Sequence, residues 1–353
     1  MTVSAVSILI CTFNRARLLR ETLAAMQNMM RPADCAVEII VVDNNSTDNT
    51  PLVVAEAARD ARFPIVALSE RQQGKSFALN LGLASANGDV VALTDDDVIP
   101  AADWLHRIVE GFRAHDVTFV CGKVLPRWSR LPPPELLTPL AKHIWGPIAI
   151  IDYGDRPFEY VPENRNQWLP IGANLAFSRQ ALETIGGWRT DLGKVNNTLI
   201  SGEDHEIFLR LRRFGLYAGY YDPDLTVRHY VPTERLTRRY FRRWFFWHGK
   251  TRALMIHDLY PDVDLARVPH VAGVPRFLYR EALAQCWRWV RTRGGHDALT
   301  ALNEELRVLQ FVGLITECIT RRLTNHRRQR SSDNRQPIEQ AAPVRPVSHR
   351  IAQ

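Results

Sequence analysis

The sequence predicts an α/β fold with a mainly parallel mixed central sheet and a helical C-terminal extension. Three observations carry that expectation. Up to about residue 125, β-rich apolar runs alternate with segments of helical periodicity. Three of those runs end in polar residues, at 12–15, 43–48 and 95–97. From Leu236 to about Arg322 the pattern is mostly helical.

The elements follow in order. Residues 6–11 form a first strand, after which Leu18, Leu19, Thr22, Leu23 and Met26 share one helical face. Residues 38–42 form a second strand ending at Asp43, and Thr50 caps a helix with Pro51 at its first position. Residues 65–68, 75–85 and 90–93 continue as strand, helix and strand. In open sheets of this kind ligands bind beyond the carboxyl ends of the strands, which is where the three polar stretches fall. Residues 126–170 are irregular and rich in proline and tryptophan, a long loop region over the site. Helices at 178–184 and 203–214 follow, the second offering Ser201 and Asp204 at capping-box spacing. The chain divides into residues 1–235, a helical region 236–326 and a basic disordered tail 327–353.

Charge and cysteine content exclude several classes. The 353 residues carry a net charge of +7, but residues 321–353 hold eight arginines against Asp333 and Glu339, leaving +1 for the rest. A near-neutral body argues against nucleic acid as a partner. Five cysteines without a C-x-x-C pair argue against a zinc knuckle or a disulfide framework and suit a reducing compartment. The first strand starts too early for a signal peptide. The longest apolar runs, 144–151 and 308–318, fall short of the roughly 20 residues needed to cross a bilayer. The expected location is therefore cytoplasmic, peripheral on the inner face of the cell membrane. Residues 238–247 mix arginines with aromatics, a composition suited either to an anionic membrane surface or to docking on the body with snorkelling arginines.

Asp95-Asp96-Asp97 closes an apolar strand, and adjacent carboxylates repel unless a cation sits among them. Mg²⁺ or Mn²⁺ suits such oxygen donors. The alternative is a solvated acidic turn capping the helix at Trp104. Gly74-Lys75-Ser76 lacks the upstream glycine of a phosphate loop, Ser69 standing in its place.

Together these segments resemble the family 2 glycosyltransferases of GT-A fold, over residues 6–230. The resemblance rests on an ordered series: Thr12-Phe13-Asn14-Arg15, Asp43-Asn44-Asn45-Ser46, Gly74-Lys75-Ser76 with Leu79-Asn80, Gly88-Asp89, Thr94-Asp95-Asp96-Asp97, Gly172-Ala173-Asn174, Gly186-Gly187-Trp188 and Gly202-Glu203-Asp204. It implies an inverting, metal-dependent hexosyltransferase on a GT-A-type nucleotide-binding sandwich. Its donor is a nucleotide-diphosphate sugar, a uridine diphosphate sugar by family habit, and its acceptor a hydroxyl of a glycan or lipid-linked glycan in polysaccharide biosynthesis.

By position, Thr12, Asn14, Arg15, Asp43, Lys75, Asp95 and Asp96 would hold the donor, with Asp89 as an alternative to Lys75. Asp95, Asp97 and His229 would hold the metal, Mn²⁺ or Mg²⁺. Asp204 would be the catalytic base, with Trp188 and Glu203 on the acceptor side. Tyr240 stands where processive members carry the glutamine of Q-x-x-R-W, which implies one sugar per encounter. The competing function is a non-catalytic nucleotide-sugar or glycan binding protein on the same scaffold.

Overall fold

The computed structural model describes residues 1–164, 168–195, 198–294 and 297–333. The first half builds the expected alternation: β1 (Ala5–Thr12), α1 (Ala16–Gln27), β2 (Ala36–Asp43), α2 (Thr50–Arg59), β3 (Ile65–Ser69), α3 (Lys75–Ser85) and β4 (Val90–Asp95). The strands pair in parallel in the order β3-β2-β1-β4. Register brings Thr12 beside Asp43 and Cys11 beside Asp95, so the three polar strand ends meet at one sheet edge.

The sheet then turns mixed. β5 (Val98–Pro100), α4 (Trp104–Ala114), β6 (Phe119–Trp128), β7 (Phe158–Tyr160), β8 (Leu175–Ser178), α5 (Arg179–Ile185), α6 (Glu203–Arg213) and β9 (Gly219–Val231) follow. β8 runs antiparallel between β4 and β6, while β6 pairs in parallel with β9. Among the described residues nine strands form this sheet. Alternate residues feed two apolar layers: Ile8, Ile10, Ile39 and Val41 pack with α1 and α4 residues, and Leu9, Ile40 and Val42 with α3, α5 and α6 residues. Each such side chain contributes about 1.5–3 kcal/mol of burial, which fixes strand register and hence the site edge.

The C-terminal third is helical, with α7 (Arg238–Leu254), α8 (Ile256–Leu259), a short β10 (His270–Val271) and β11 (Val274–Pro275) hairpin, α9 (Arg276–Thr292) and α10 (Ala298–Asp333). α7 is packed, not free: Phe241 and Phe245 are buried against Ile144, Ile148, Val231 and Leu306. It crosses α10 at glycines. A Cβ on Gly249 would lie 1.9 Å from the Gln310 carbonyl oxygen, and one on Gly313 would lie 1.9 Å from that of Phe246. Among the described residues no helix is long and apolar enough to cross a membrane.

Four local expectations differ from the structure. Asn49, not Thr50, is the residue preceding α2; Thr50 is its first residue, and its N–H and hydroxyl both donate to the Asp48 carboxylate. Residues 126–170 are more ordered than a loop, with three 3₁₀ turns and β7. The Ser201–Asp204 capping box does not form, since Gly202 precedes α6 and Asp204 turns elsewhere. The last helix continues to Asp333, past the expected start of the tail at residue 327. The rest of that tail, 334–353, lies outside the described residues.

Candidate active site

An open cleft of about 290 Å³ lies at the carboxyl ends of β1 and β4. Cys11, Thr12, Phe13, Arg15, Asn44, Gln73, Lys75, Lys194, His229, Arg235 and the three aspartates line it. Asp95 is half-buried, Asp96 and Asp97 are buried. Asp97 is held through its backbone, its carbonyl accepting from the N–H of Tyr230 at 2.9 Å. That bond draws β9 alongside and sets His229 Nε2 3.3 Å from Asp97 Oδ1. One donor atom each from Asp95, Asp97 and His229 fall within 4.8 Å of one another.

These residues fit a divalent cation. Asp97 Oδ1 and His229 Nδ1 are buried without a hydrogen-bond partner, and oxygen-rich donors suit Mg²⁺ or Mn²⁺. Two protein cations share the acidic charge. Arg15 pairs with Asp97 Oδ2 and lies 3.7 Å from Asp96. Burial opposes its charge, but Asp96 and Asp97 outweigh this and raise its pKa.

Asp96 has a different role in the architecture. Its Oδ2 accepts from the Thr12 hydroxyl at 2.7 Å and its carbonyl from the Thr22 hydroxyl at 3.0 Å, tying β4 to β1 and α1. Burial pushes its carboxyl up to about 7, against the pull of Arg15.

Lys75 joins the two acidic groups. Its Nζ lies 3.4 Å from Asp95 Oδ1 and 3.4 Å from Glu203 Oε1. Burial opposes its charge, yet Asp95, Asp204 and Glu203 together raise its pKa well above the usual lysine range. Glu203 is raised by burial and then by Asp204. Asp204 accepts from the Gly172 N–H at 2.9 Å through Oδ2, while its Oδ1 is buried and unpartnered. The turn holding Gly172 is anchored in turn, Thr94 donating to the Ala173 carbonyl and Asn174 Nδ2 to the carbonyls of Lys123 and Leu225. A chain of short polar ties thus runs from the end of β4 to the start of α6.

The kind of protein that carries this cleft is settled by its family match: the glycosyl transferase family 2 model matches residues 7–186. The chain belongs to glycosyltransferase family 2.

Relatives agree with this. A probable glycosyltransferase, YdaM, of Bacillus subtilis is 28% identical over 68% of this chain, and the match spans 54% of that longer protein. The glucosyl-dolichyl phosphate glucuronosyltransferase of Haloferax volcanii is 25% identical over 73% of this chain and 79% of its own length. Among solved structures, the mannosyltransferase PcManGT of Pyrobaculum calidifontis, determined with GDP-Man and Mn²⁺, superposes with a TM-score of 0.56. It is 21% identical and covers 90% of this chain and 87% of its own, which supports the GT-A fold. The chain therefore carries a family 2 glycosyltransferase domain.

The glycosyltransferase cleft gathers most, not all, of the sequence candidates. Thr12, Arg15, Lys75, Asp95, Asp96, Asp97 and His229 line it. Asp43 lies beside Thr12, and its carboxylate accepts from the Ser46 N–H. Asn14 does not line it; its side-chain oxygen accepts from the N–H groups of Thr47 and Asp48, shaping the neighbouring loop. Trp188 and Glu203, the two acceptor-side candidates, are a correction: they do not line the cleft, and Trp188 sits deeper. It is 3% exposed and packed in the core, its backbone exchanging two hydrogen bonds with the Asn80 side chain. Asp89 is a second correction, since it precedes β4 and binds the start of β1 through Ser4 and Ala5, at the far sheet edge.

Sequence reasoning assigned no site role to Cys11, Phe13, Asn44, Gln73, Lys194 and Arg235, all of which line the cleft. Asn44 is signalled only as part of the Asp43 loop; its Oδ1 accepts from the Gly74 N–H at 2.8 Å and so seats Lys75. Lys194 arrives because its carbonyl accepts from the N–H of Lys75. No local pattern announces either cation.

Proposed function

We propose that this glycosyltransferase moves one sugar per encounter from a nucleotide-diphosphate sugar, a uridine diphosphate sugar by family habit, to a hydroxyl of a glycan or lipid-linked glycan, with inversion. The single observation that supports this reading is Lys75 lying between Asp95 and Glu203, which links the aspartate trio to the start of α6, although Glu203 and Asp204 do not themselves line the cleft. Residues 1–235 would be the catalytic unit and 236–326 its helical support.

Asp95, Asp97 and His229 would hold Mn²⁺ or Mg²⁺, which when bound neutralises the charge of a departing diphosphate. Arg15, Lys75, Lys194 and Arg235 bring positive charge to the phosphates, burial lowering the pKa of Lys194 among them. Thr12 and Asp43 border the nucleoside side. Asp204 accepts the proton of the acceptor hydroxyl; its unpartnered Oδ1 is free for that bond, while Gly172 N–H steadies Oδ2. Glu203, its pKa raised by burial and then by Asp204, pairs with Lys75 beside the base. The glucuronosyltransferase relative, named for a dolichyl phosphate-linked substrate, supports a lipid-linked acceptor.

Asp204→Asn tests the assignment, since an amide oxygen still accepts from Gly172. Turnover should fall by about 10²–10⁴, with donor affinity measured by calorimetry unchanged. Equal loss of turnover and donor binding would overturn the base role.

A further inference from the structure

The arginine-aromatic helix α7, which from composition alone suited a membrane, spends its aromatic face inside the molecule, and Arg242 on its outer side pairs with Glu305 at 2.6 Å. The unpartnered face lies on α9 instead. Leu283, Trp287 and Val290 are 70%, 60% and 61% exposed, large fractions for apolar side chains. At helical spacing they share one stripe with Arg276, Arg280 and Arg291, all exposed. The opposite side of α9, with Leu278 and Gln285, is buried against the rest of the helical region.

The charge on this stripe has one sign. Between residues 276 and 294 there are five arginines and a single acid, Glu281, whose carboxylate is turned to the Tyr260 hydroxyl. The Arg291 guanidinium lies 4.5 Å over the Trp287 ring, the pairing of cation and indole suited to a lipid headgroup level. The hairpin adds Val271, 51% exposed, beside the amino end of the stripe, where the cleft between hairpin and helix includes Leu283 and Arg276.

The occupant must be apolar at depth and anionic at its surface. The chain's own segment 334–353 does not answer that description, since it holds Arg335, Arg345 and Arg350 against Glu339. A second copy would bring arginine against arginine on this face. We propose that the outer face of α9 docks on an anionic lipid bilayer, Leu283, Trp287 and Val290 entering the headgroup–acyl boundary while Arg276, Arg280 and Arg291 meet lipid phosphates. An amphipathic surface helix of apolar anchors rimmed by arginines binds in this way. This inference stands on the α9 face and not on the reading of the catalytic cleft.

The test is co-sedimentation of the full chain with vesicles of phosphatidylcholine alone and of phosphatidylcholine mixed with phosphatidylglycerol. Binding should require phosphatidylglycerol and weaken with salt. Arg280→Gln and Arg291→Gln should each lower the partition coefficient about fivefold, which corresponds to about 1 kcal/mol per arginine. Leu283→Glu with Trp287→Glu should bring it down to the level contributed by the basic tail. These residues are solvent-exposed, so the thermal melting point and donor affinity should stay as in the wild type and report that the variants fold. Unchanged vesicle binding in the Leu283/Trp287 variant would overturn the proposal. So would equal binding to neutral and anionic vesicles, or a dimer in sedimentation equilibrium that the same substitutions dissociate.

Discussion

The strand-end cleft and the C-terminal helices are held together by different physics. The cleft is tied by short polar bonds that reach across the chain: Thr12 to Asp96, Tyr230 to Asp97, Asn44 to Gly74, Gly172 to Asp204. The helical region is held mainly by apolar packing and by two glycines that let α7 and α10 approach closely, with ion pairs such as Arg242–Glu305 and Lys250–Glu317 added between those helices. Polar ties fix direction to a few tenths of an ångström, which a reacting carboxylate needs. Apolar packing fixes position more loosely, which suffices for a support.

That contrast breaks most visibly at Gly172. A Cβ there would lie 3.0 Å from Asp204 Oδ1, so Gly172→Ala should push the carboxylate aside. A displacement near 1 Å costs about 100-fold in rate. Steady-state kinetics should show kcat falling while donor affinity and melting temperature hold. A normal kcat would mean that Asp204 does not work from its present position.

Gly249→Ala probes the other region. Its methyl would meet the Gln310 carbonyl oxygen at 1.9 Å, forcing α7 from α10. Chemical denaturation should show a loss of about 1–3 kcal/mol, with nucleotide binding retained in the folded protein. Loss of nucleotide binding without loss of stability would show that the helices shape the cleft directly.

A smaller effect concerns His248. Its ring stacks on Trp244 at 4.8 Å and its Nδ1 is buried without a partner. Burial, aided by His205 and Arg252, pulls its pKa from the usual 6.5 down to about 3. Below pH 6.5 the unfolded chain takes the proton and the folded one does not, so stability declines as pH falls from 6.5 towards 3. The limiting slope is about 1.4 kcal/mol per pH unit for this single proton. His248→Phe should flatten the melting temperature between pH 7 and pH 5; an unchanged profile would assign the acid sensitivity to other groups.

The same contrast governs how much of the fold and of the cleft is legible in the amino-acid sequence. Strand ends are readable because a β-run followed at once by carboxylates is a local pattern, and parallel topology collects such ends at one edge. Asp89 misleads for the same physical reason in reverse: it precedes β4, and the amino ends of parallel strands collect at the opposite edge. The Asp204 spacing to Ser201 suggests a cap, yet the carboxylate is taken by Gly172, 32 residues earlier, a tie no local rule contains. Lys194 and Arg235 reach the cleft from a loop and a 3₁₀ turn without periodicity. The packing of α7 is half readable, since its spacing of Phe241, Trp244 and Phe245 marks the inner face but not the partner.

The most direct measurement is a crystal structure of the full chain soaked with Mn²⁺ and uridine diphosphate, with anomalous data recorded for manganese. The geometry predicts one anomalous peak bonded to Asp97 and His229 next to Asp95, with diphosphate oxygens on its open side and the Asp204 carboxylate facing the same cleft. Manganese bound elsewhere, or a nucleotide seated in that cleft with Asp204 turned away from it, would contradict the assignment.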